Sequence, residues 1–171
     1  MGENLMNKDI QQRDLIEFQF LNEQQIHENI KFADQKAVQI IAINGVLLGF
    51  LFQQFKIEEM QGNWIAFVLC ALFIGGIGAA LLVIKPRGII GRKRGAGVID
   101  SSRIAQSDLT DYLQRLSTIK TAEFIEELRI FVYDRATIDQ QKYKFLRISI
   151  YISFLAWVCS IAFFGWVKLF V

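Results

Sequence analysis

The stretch Trp64–Ile84, WIAFVLCALFIGGIGAALLVI, runs for 21 residues without a charged side chain. A helix of about 20 mostly apolar residues crosses the hydrocarbon core of a bilayer. Two further stretches, Ala37–Phe55 and Ile148–Val171, are apolar over similar lengths. The sequence therefore predicts an all-α integral membrane protein with three transmembrane helices.

The apolar and charged residues occupy separate parts of the chain. Hydrophobic residues make up 53% and charged residues 21%, and the charges lie between the three apolar stretches. This separation divides the chain into an N-terminal cytoplasmic helix (1–36), a two-span hairpin (37–84), a cytoplasmic helical region (85–147) and a third span (148–171). The first 30 residues are polar and do not resemble a signal peptide, so we expect the first span to direct insertion.

Basic residues decide the predicted orientation. Lys85, Arg87 and the triplet Arg92–Arg94 follow the second span within ten residues. The positive-inside rule places this segment, and with it the N-terminus, in the cytoplasm and the C-terminus outside. The alternative, with Ile148–Val171 as a re-entrant or surface-lying helix, is disfavoured because its apolar residues surround the helix instead of forming one stripe.

The polar segments also show helical periodicity. No Gly or Pro interrupts Ile10 to Asn44, which predicts one helix that continues into the first span. Ser101 or Ser102 is a candidate cap for a helix in the cytoplasmic region, and a second helix there is expected from about Thr121 toward Arg147. We expect their apolar stripes to pack with the N-terminal arm as a cytoplasmic bundle. These stripes are Leu109, Tyr112, Leu113, Leu116 and Ile119, and Phe124, Ile125, Leu128 and Val132.

Small residues recur every three or four positions in all three spans. Such stripes let helix backbones approach closely in lipid, within one subunit or between subunits. Asn44 lies inside the first span, where an amide is expected to bond a neighbouring helix. Three spans cannot enclose a pore, so a membrane-disrupting activity would require a homo-oligomer. The small residues are Gly45 and Gly49; Ala71, Gly75 and Ala79, followed by Gly76 and Ala80; and Ser149, Ser153, Ala156 and Ser160.

The chain lacks the residue patterns of an enzyme. His27 is the single histidine, which excludes zinc sites that need several histidines within one chain. The two cysteines, Cys70 and Cys159, lie within spans and are interpreted as packing residues. A net charge of +2 does not indicate nucleic acid as a partner. We therefore predict a non-enzymatic protein without a metal or a resident cofactor.

Three motifs resemble the membrane effectors of bacterial Pycsar anti-phage systems. The first is Ala33-Asp34-Gln35-Lys36-Ala37, which leads into a span containing Asn44-Gly45. The second is Pro86-Arg87, directly after the second span. The third is the segment Lys142–Arg147, which leads into the last span. The resemblance extends from about Ile26 onward and rests on the order and spacing of the motifs.

This resemblance implies a function. A partner cyclase would make a cyclic pyrimidine mononucleotide, cUMP or cCMP, during phage infection. The effector would respond by compromising the inner membrane, so that the infected cell stops supporting the phage. The candidate ligand-binding residues lie near the predicted inner membrane boundary: Asp34, Lys36, Arg87, Lys142 and Arg147. We expect Asp34 to pair with a basic residue of another helix, which would leave the remaining cations for a phosphate.

Two other functions stay open at this stage. A constitutive scaffold or accessory subunit would dock a soluble partner through the Leu109–Ile119 and Phe124–Val132 stripes, and it would expose them in the isolated protein. A ligand-independent channel would conduct without any nucleotide, but no charged residue lies in the interior of a span, where it could line a pore. The same basic segment that sets the topology could also contact anionic lipids.

Overall fold

A computed structural model describes residues 2–54, 64–85, 98–99, 104–105 and 107–170, without the side chains of 2–11, 54 and 166–170. Its four helices within these residues are α1 (Gly2–Gln54), α2 (Trp64–Ile84), α3 (Leu109–Thr118) and α4 (Thr121–Phe170). The predicted all-α class is confirmed. The bounds of α1 and α4 show that each polar helix continues without interruption into a predicted span. No Gly or Pro lies at either junction to break the helix.

Three of the described helices are long and apolar enough to cross a membrane. The candidate spans lie within Gln12–Gln53, Trp64–Ile84 and Thr121–Gly165, with mean hydropathies of 1.5, 2.7 and 2.0. Each value describes an 18-residue segment of its helix, and that of the central helix is the most apolar. Polar residues within the other two spans, such as Asn44 in α1 and Ser149 and Ser153 in α4, lower their values. The three-span prediction agrees with this count by length and composition.

The chain divides into two compact units. Unit 1 consists of Met1–Asn29 and Arg87–Asp139, and unit 2 consists of Ile30–Pro86 and Gln140–Val171. Both long helices therefore contribute residues to each unit. Unit 2 contains all three predicted spans.

Unit 2 has an apolar core in which alanines lie where the helices meet. Ala33 and Ala37 of α1 and Ala80 of α2 are completely buried, which allows close approach of the helix backbones. This cluster also includes Ile40, Val83 and Leu146. A second cluster is formed by Leu51, Leu69 and Cys70.

In unit 1, α3 begins with a capped turn. The Asp108 carboxylate accepts a hydrogen bond from the Thr110 backbone N–H at 3.1 Å, so Asp108 satisfies one of the free donors at the helix start. The predicted caps, Ser101 and Ser102, lie outside the described residues. The cap of α3 itself is Asp108, and neither serine occupies that position.

The apolar stripe of α3 differs from the prediction. Leu109, Leu113 and Leu116 are 69%, 53% and 48% exposed, and α3 has no buried residue. Tyr112 and Ile119 of the same stripe are half-buried, so the stripe is covered only in part and the predicted cytoplasmic bundle is not confirmed. The α4 stripe is covered in part, since Ile125 and Leu128 are buried. Periodicity identifies the apolar face of a helix but not whether another element covers it.

Candidate functional site

An ion pair joins the two long helices of unit 2 at the point where the first span begins. The Lys142 ammonium of α4 donates a hydrogen bond to the Asp34 carboxylate of α1. The Lys142 side chain is 6% exposed and the Asp34 side chain 36%. A nearly buried lysine requires a partner. Ala33 and Ala37, both fully buried, flank Asp34 and bring α1 close enough to provide that partner.

The other candidate ligand-binding residues are placed differently. Lys36 is half-buried and lies over the Phe32 ring, 4.2 Å from its centroid, in a cation–π contact within α1. Arg147 is exposed. Arg87 lies outside the described residues. The structure thus brings Asp34 and Lys142 into direct contact and leaves Arg147 exposed.

A second contact between α1 and α4 lies deeper in the predicted spans. The Asn44 amide nitrogen donates to the Ser153 hydroxyl at 2.7 Å, and the Trp157 indole N–H donates to the Asn44 carbonyl oxygen at 3.0 Å. Asn44 is completely buried and Ser153 is 1% exposed. In hydrocarbon a polar side chain has no water to bond, so such contacts between helices specify which faces meet. Asn44 had been expected to bond a neighbouring helix, but the role of Trp157 had no sequence signal.

The same level of unit 2 also involves α2. The Ser149 hydroxyl of α4 donates to the Gly76 carbonyl oxygen at 2.9 Å. A Cβ atom at Gly76 would lie 2.7 Å from the Ser153 hydroxyl and 2.8 Å from the Asn44 amide nitrogen. Both distances are too short for a carbon atom, so any larger residue at this position must displace the Ser153 and Asn44 side chains. We call Asn44, Gly76, Ser149, Ser153 and Trp157 the polar junction.

The structure buries some residues of the predicted small-residue stripes and leaves others exposed. In α4, Ser149, Ser153 and Ala156 are buried and Ser160 is half-buried. In α2, Gly76 and Ala80 are buried, whereas Ala71 and Gly75 are exposed and Ala79 is half-buried. In α1, Gly45 and Gly49 are exposed, with open space where a Cβ atom would lie. Within one chain the α1 pair therefore makes no close helix contact among the described residues, and its role between subunits stays a prediction.

Unit 1 contains a small polar cavity that sequence reasoning did not identify. Its volume is about 270 Å³, and the Val98 backbone N–H beside it donates to the Glu127 carboxylate at 2.8 Å. Its described lining residues include one cation and two carboxylates, and this balance does not favour an anion. The lining residues are Val98, Arg115, Thr118, Ile119, Glu123 and Glu127.

Among the described residues, no group of three or more His, Cys, Asp or Glu side chains could hold a metal ion. The polar contacts of unit 2 consist of amide, hydroxyl, indole, ammonium and carboxylate groups that bond one another across helices. Such an arrangement can hold helices together and can exchange one partner for another.

Comparisons with known proteins add an independent finding. The profile described as "PycTM: Pycsar effector protein domain" matches residues 21–168. The Pycsar effector protein SaPycTM of Staphylococcus aureus is 31% identical over 143 residues, which cover 81% of this chain and 87% of that protein. No solved structure matches the chain.

Proposed function

The chain belongs to the Pycsar effector family, and from this premise we propose how it acts as an anti-phage effector in the membrane. It responds to a cyclic pyrimidine mononucleotide, cUMP or cCMP, and then compromises the bacterial inner membrane as a homo-oligomer. The nucleotide is the product of a partner cyclase. Residues 85–147 and the N-terminus face the cytoplasm, where that product is made. The outcome for the infected cell is abortive infection.

The observation that supports this proposal most is the pair between Asp34 and Lys142. A cyclic mononucleotide carries one negative charge on its phosphate, the same charge as the Asp34 carboxylate. Lys142 is nearly buried, and its ammonium already donates to the Asp34 carboxylate. A phosphate that takes Lys142 must therefore displace Asp34, and this exchange removes a direct tie between α1 and α4.

The other cations of the candidate set suit a supporting role in this exchange. Lys36 lies two residues from Asp34, and Arg147 is exposed on α4. Arg87 carries the third positive charge in this set. Charge-assisted hydrogen bonds from such groups to a phosphate are stronger than bonds between neutral groups. Together they would offset the charge of a ligand that replaces Asp34.

Calorimetric titration of the purified protein in nanodiscs tests the exchange. We expect cUMP or cCMP to bind wild-type protein, Lys142→Met to abolish binding, and Asp34→Asn to bind more tightly because the competing charge is gone. Lys144→Met is the matched control, since Lys144 is exposed on the same helix. If Asp34→Asn and Lys142→Met weaken binding alike, the pair is only structural and the exchange is refuted.

A cellular measurement tests the consequence. Cells that express the chain with its cognate cyclase should lose membrane potential upon phage infection, as reported by a voltage-sensitive dye. Cells with the Lys142→Met variant should remain polarised, and those with Lys144→Met should depolarise. An intact potential in wild-type cells under these conditions would contradict the proposed effector activity.

A second function is favoured by the exposed stripe of α3. Leu109, Leu113 and Leu116 remain uncovered in the isolated chain, as expected of a scaffold that docks a soluble partner. Under this alternative, Leu113→Glu prevents a partner from co-purifying, and nucleotide has no effect on the membrane. A Leu113→Glu variant that depolarises cells normally would favour the effector over the scaffold.

A further inference from the structure

The charged side chains of unit 2 lie at one end of its helices. Among the side chains that the structure describes in this unit, 30–53, 64–85 and 140–165, there are six cations and one carboxylate. The cations of α1 and α4 precede the predicted spans, and that of α2 directly follows its span. The six cations are Lys31, Lys36, Lys85, Lys142, Lys144 and Arg147.

In each of these three helices, the exposed cation nearest to the predicted span belongs to what we call the basic belt: Lys31 of α1, Lys85 of α2 and Arg147 of α4. Each lies within two residues of a member of the same buried apolar cluster. The belt therefore lies at one level of unit 2, around a common core. The neighbouring members of that cluster are Ala33, Val83 and Leu146, in the same order.

No carboxylate in the described part of unit 2 is left to offset the charge of the belt. Asp34, the one carboxylate there, already accepts a hydrogen bond from Lys142. Exposed cations at one level on three helices produce a positive potential that attracts anions. We therefore expect an anionic partner at the belt.

Exposed apolar side chains adjoin the belt on the side of the spans. Lysine and arginine can lay their hydrocarbon stems along such a surface while the charged ends reach the interface. A phospholipid with an anionic headgroup covers both features. A free phosphate covers only the charge, and a soluble protein does not reach side chains within the bilayer. The apolar side chains are Phe32 beside Lys31, Leu82 near Lys85, and Ile148 beside Arg147.

We propose that the basic belt binds the headgroups of anionic phospholipids in the leaflet that this end of unit 2 faces. The three cations hold headgroup phosphates by charge-assisted hydrogen bonds, and the adjoining apolar side chains contact the acyl chains. This surface goes beyond the proposed nucleotide response, because Lys31 and Lys85 are not among the candidate ligand-binding residues. The protein therefore selects anionic over zwitterionic lipid from a mixed bilayer.

Native mass spectrometry of the full chain released from nanodiscs measures this selection. The discs contain equal amounts of phosphatidylglycerol and phosphatidylcholine with identical acyl chains, and the readout is the ratio of protein bound to each. A basic residue near an anionic surface contributes about a fivefold preference, so Lys85→Met should lower the ratio about fivefold and Lys31→Met/Lys85→Met roughly 25-fold. Lys31→Arg/Lys85→Arg should keep the wild-type ratio because it keeps both charges.

Lys120→Met is the matched control, since Lys120 is an exposed cation of unit 1. It should show the wild-type ratio. A second control adds glycerol 3-phosphate to the wild-type discs before release. This anion has the charge of a headgroup but lacks acyl chains, so it should not displace phosphatidylglycerol.

Three results would overturn the proposal. A ratio near one in the wild type would mean that the protein does not select anionic lipid. Equal losses in Lys120→Met and Lys85→Met would mean that any exposed cation contributes, wherever it lies. Displacement of phosphatidylglycerol by glycerol 3-phosphate would mean that the belt takes free phosphates. No nucleotide is added, so the outcome is independent of whether the proposed response to cUMP or cCMP holds.

Discussion

The two ends of unit 2 are held together by different forces. At the Asp34 end and at the polar junction, α1 and α4 are joined by an ion pair and by the bonds of Asn44 to Ser153 and Trp157. At the opposite end, which we call the Phe50 end, the contacts are apolar: Leu51 packs with Leu69 and Cys70, and α1 and α4 border an apolar groove. Lipid is as apolar as leucine, so apolar side chains alone do not draw two spans together. Among the described residues of unit 2, polar contacts and buried alanines join the helices at the Asp34 end, and larger apolar side chains pack at the Phe50 end.

This difference also indicates where a signal could act. Polar contacts can exchange partners, whereas apolar contacts cannot respond to the charge of a ligand. Under the proposed function, the nucleotide acts on the Asp34 end, and the Phe50 end follows because α1 and α4 are continuous helices. Substitutions that remove contacts at only one end can therefore test whether the polar contacts contribute more to stability than the apolar ones.

The largest effect is expected from Asp34→Ala, which breaks the tie at the Asp34 end. It leaves the Lys142 charge nearly buried without its partner, and we expect a loss of about 2–3 kcal/mol in stability, below the range for fully buried pairs because Asp34 is 36% exposed. Lys142→Met should cost less, since the remaining carboxylate reaches water. Denaturant unfolding in mixed micelles measures both. Equal losses of stability in the two variants would contradict the unequal burial of Asp34 and Lys142. The double variant Asp34→Lys/Lys142→Asp restores an ion pair and should regain part of the stability that Asp34→Ala loses.

The next effect concerns the polar junction. Gly76→Ala places a methyl group against the Ser153 hydroxyl and the Asn44 amide, and overpacking of this kind costs roughly 1–3 kcal/mol. Gly78→Ala is the control, because open space surrounds that position. It should be neutral or slightly stabilising, since alanine favours a helix over glycine by about 0.5–1 kcal/mol. The same unfolding measurement distinguishes the two, and similar shifts would argue against a junction at Gly76.

A smaller effect is expected for a single bond of the junction. A double-mutant cycle with Asn44→Ala and Ser153→Ala should give a coupling free energy of about 0.6–1.7 kcal/mol, the range found for hydrogen bonds between spans. Unfolding of the four proteins provides the value. A coupling of zero would mean that the 2.7 Å contact between these side chains does not stabilise the fold.

The smallest effect is expected at the Phe50 end. Ile161 is 74% exposed at the rim of the groove, so Ile161→Ala should change the stability by no more than about 0.5 kcal/mol. A loss as large as that of Gly76→Ala would show that the Phe50 end is tightly packed and that the two ends do not differ.

Several features could be predicted from the sequence because they depend on neighbouring residues in the chain. The absence of Gly and Pro from Ile10 to Asn44 predicts the continuous helix α1. A polar residue inside a span must find a partner, so the interhelical bond of Asn44 could also be expected. Likewise, Asp34 was expected to pair with a cation of another helix, and Lys142 is that cation.

Other features depend on how each helix is rotated, which periodicity does not determine. Gly75 and Gly76 belong to two small-residue stripes of equal quality, and only the packed helices show that Gly76 is the buried one. The apolar stripe of α3 looked like core, yet its leucines are exposed. The apolar groove at the Phe50 end is lined by side chains of three helices, so no local pattern in the chain could indicate it.

The most direct test of the account uses the purified chain in liposomes loaded with a self-quenching dye. We predict that cUMP or cCMP triggers dye release from liposomes that contain wild-type protein, that cAMP and cGMP do not, and that Lys142→Met abolishes the response. Release without any nucleotide, or tight liposomes at saturating cUMP and cCMP, would contradict it.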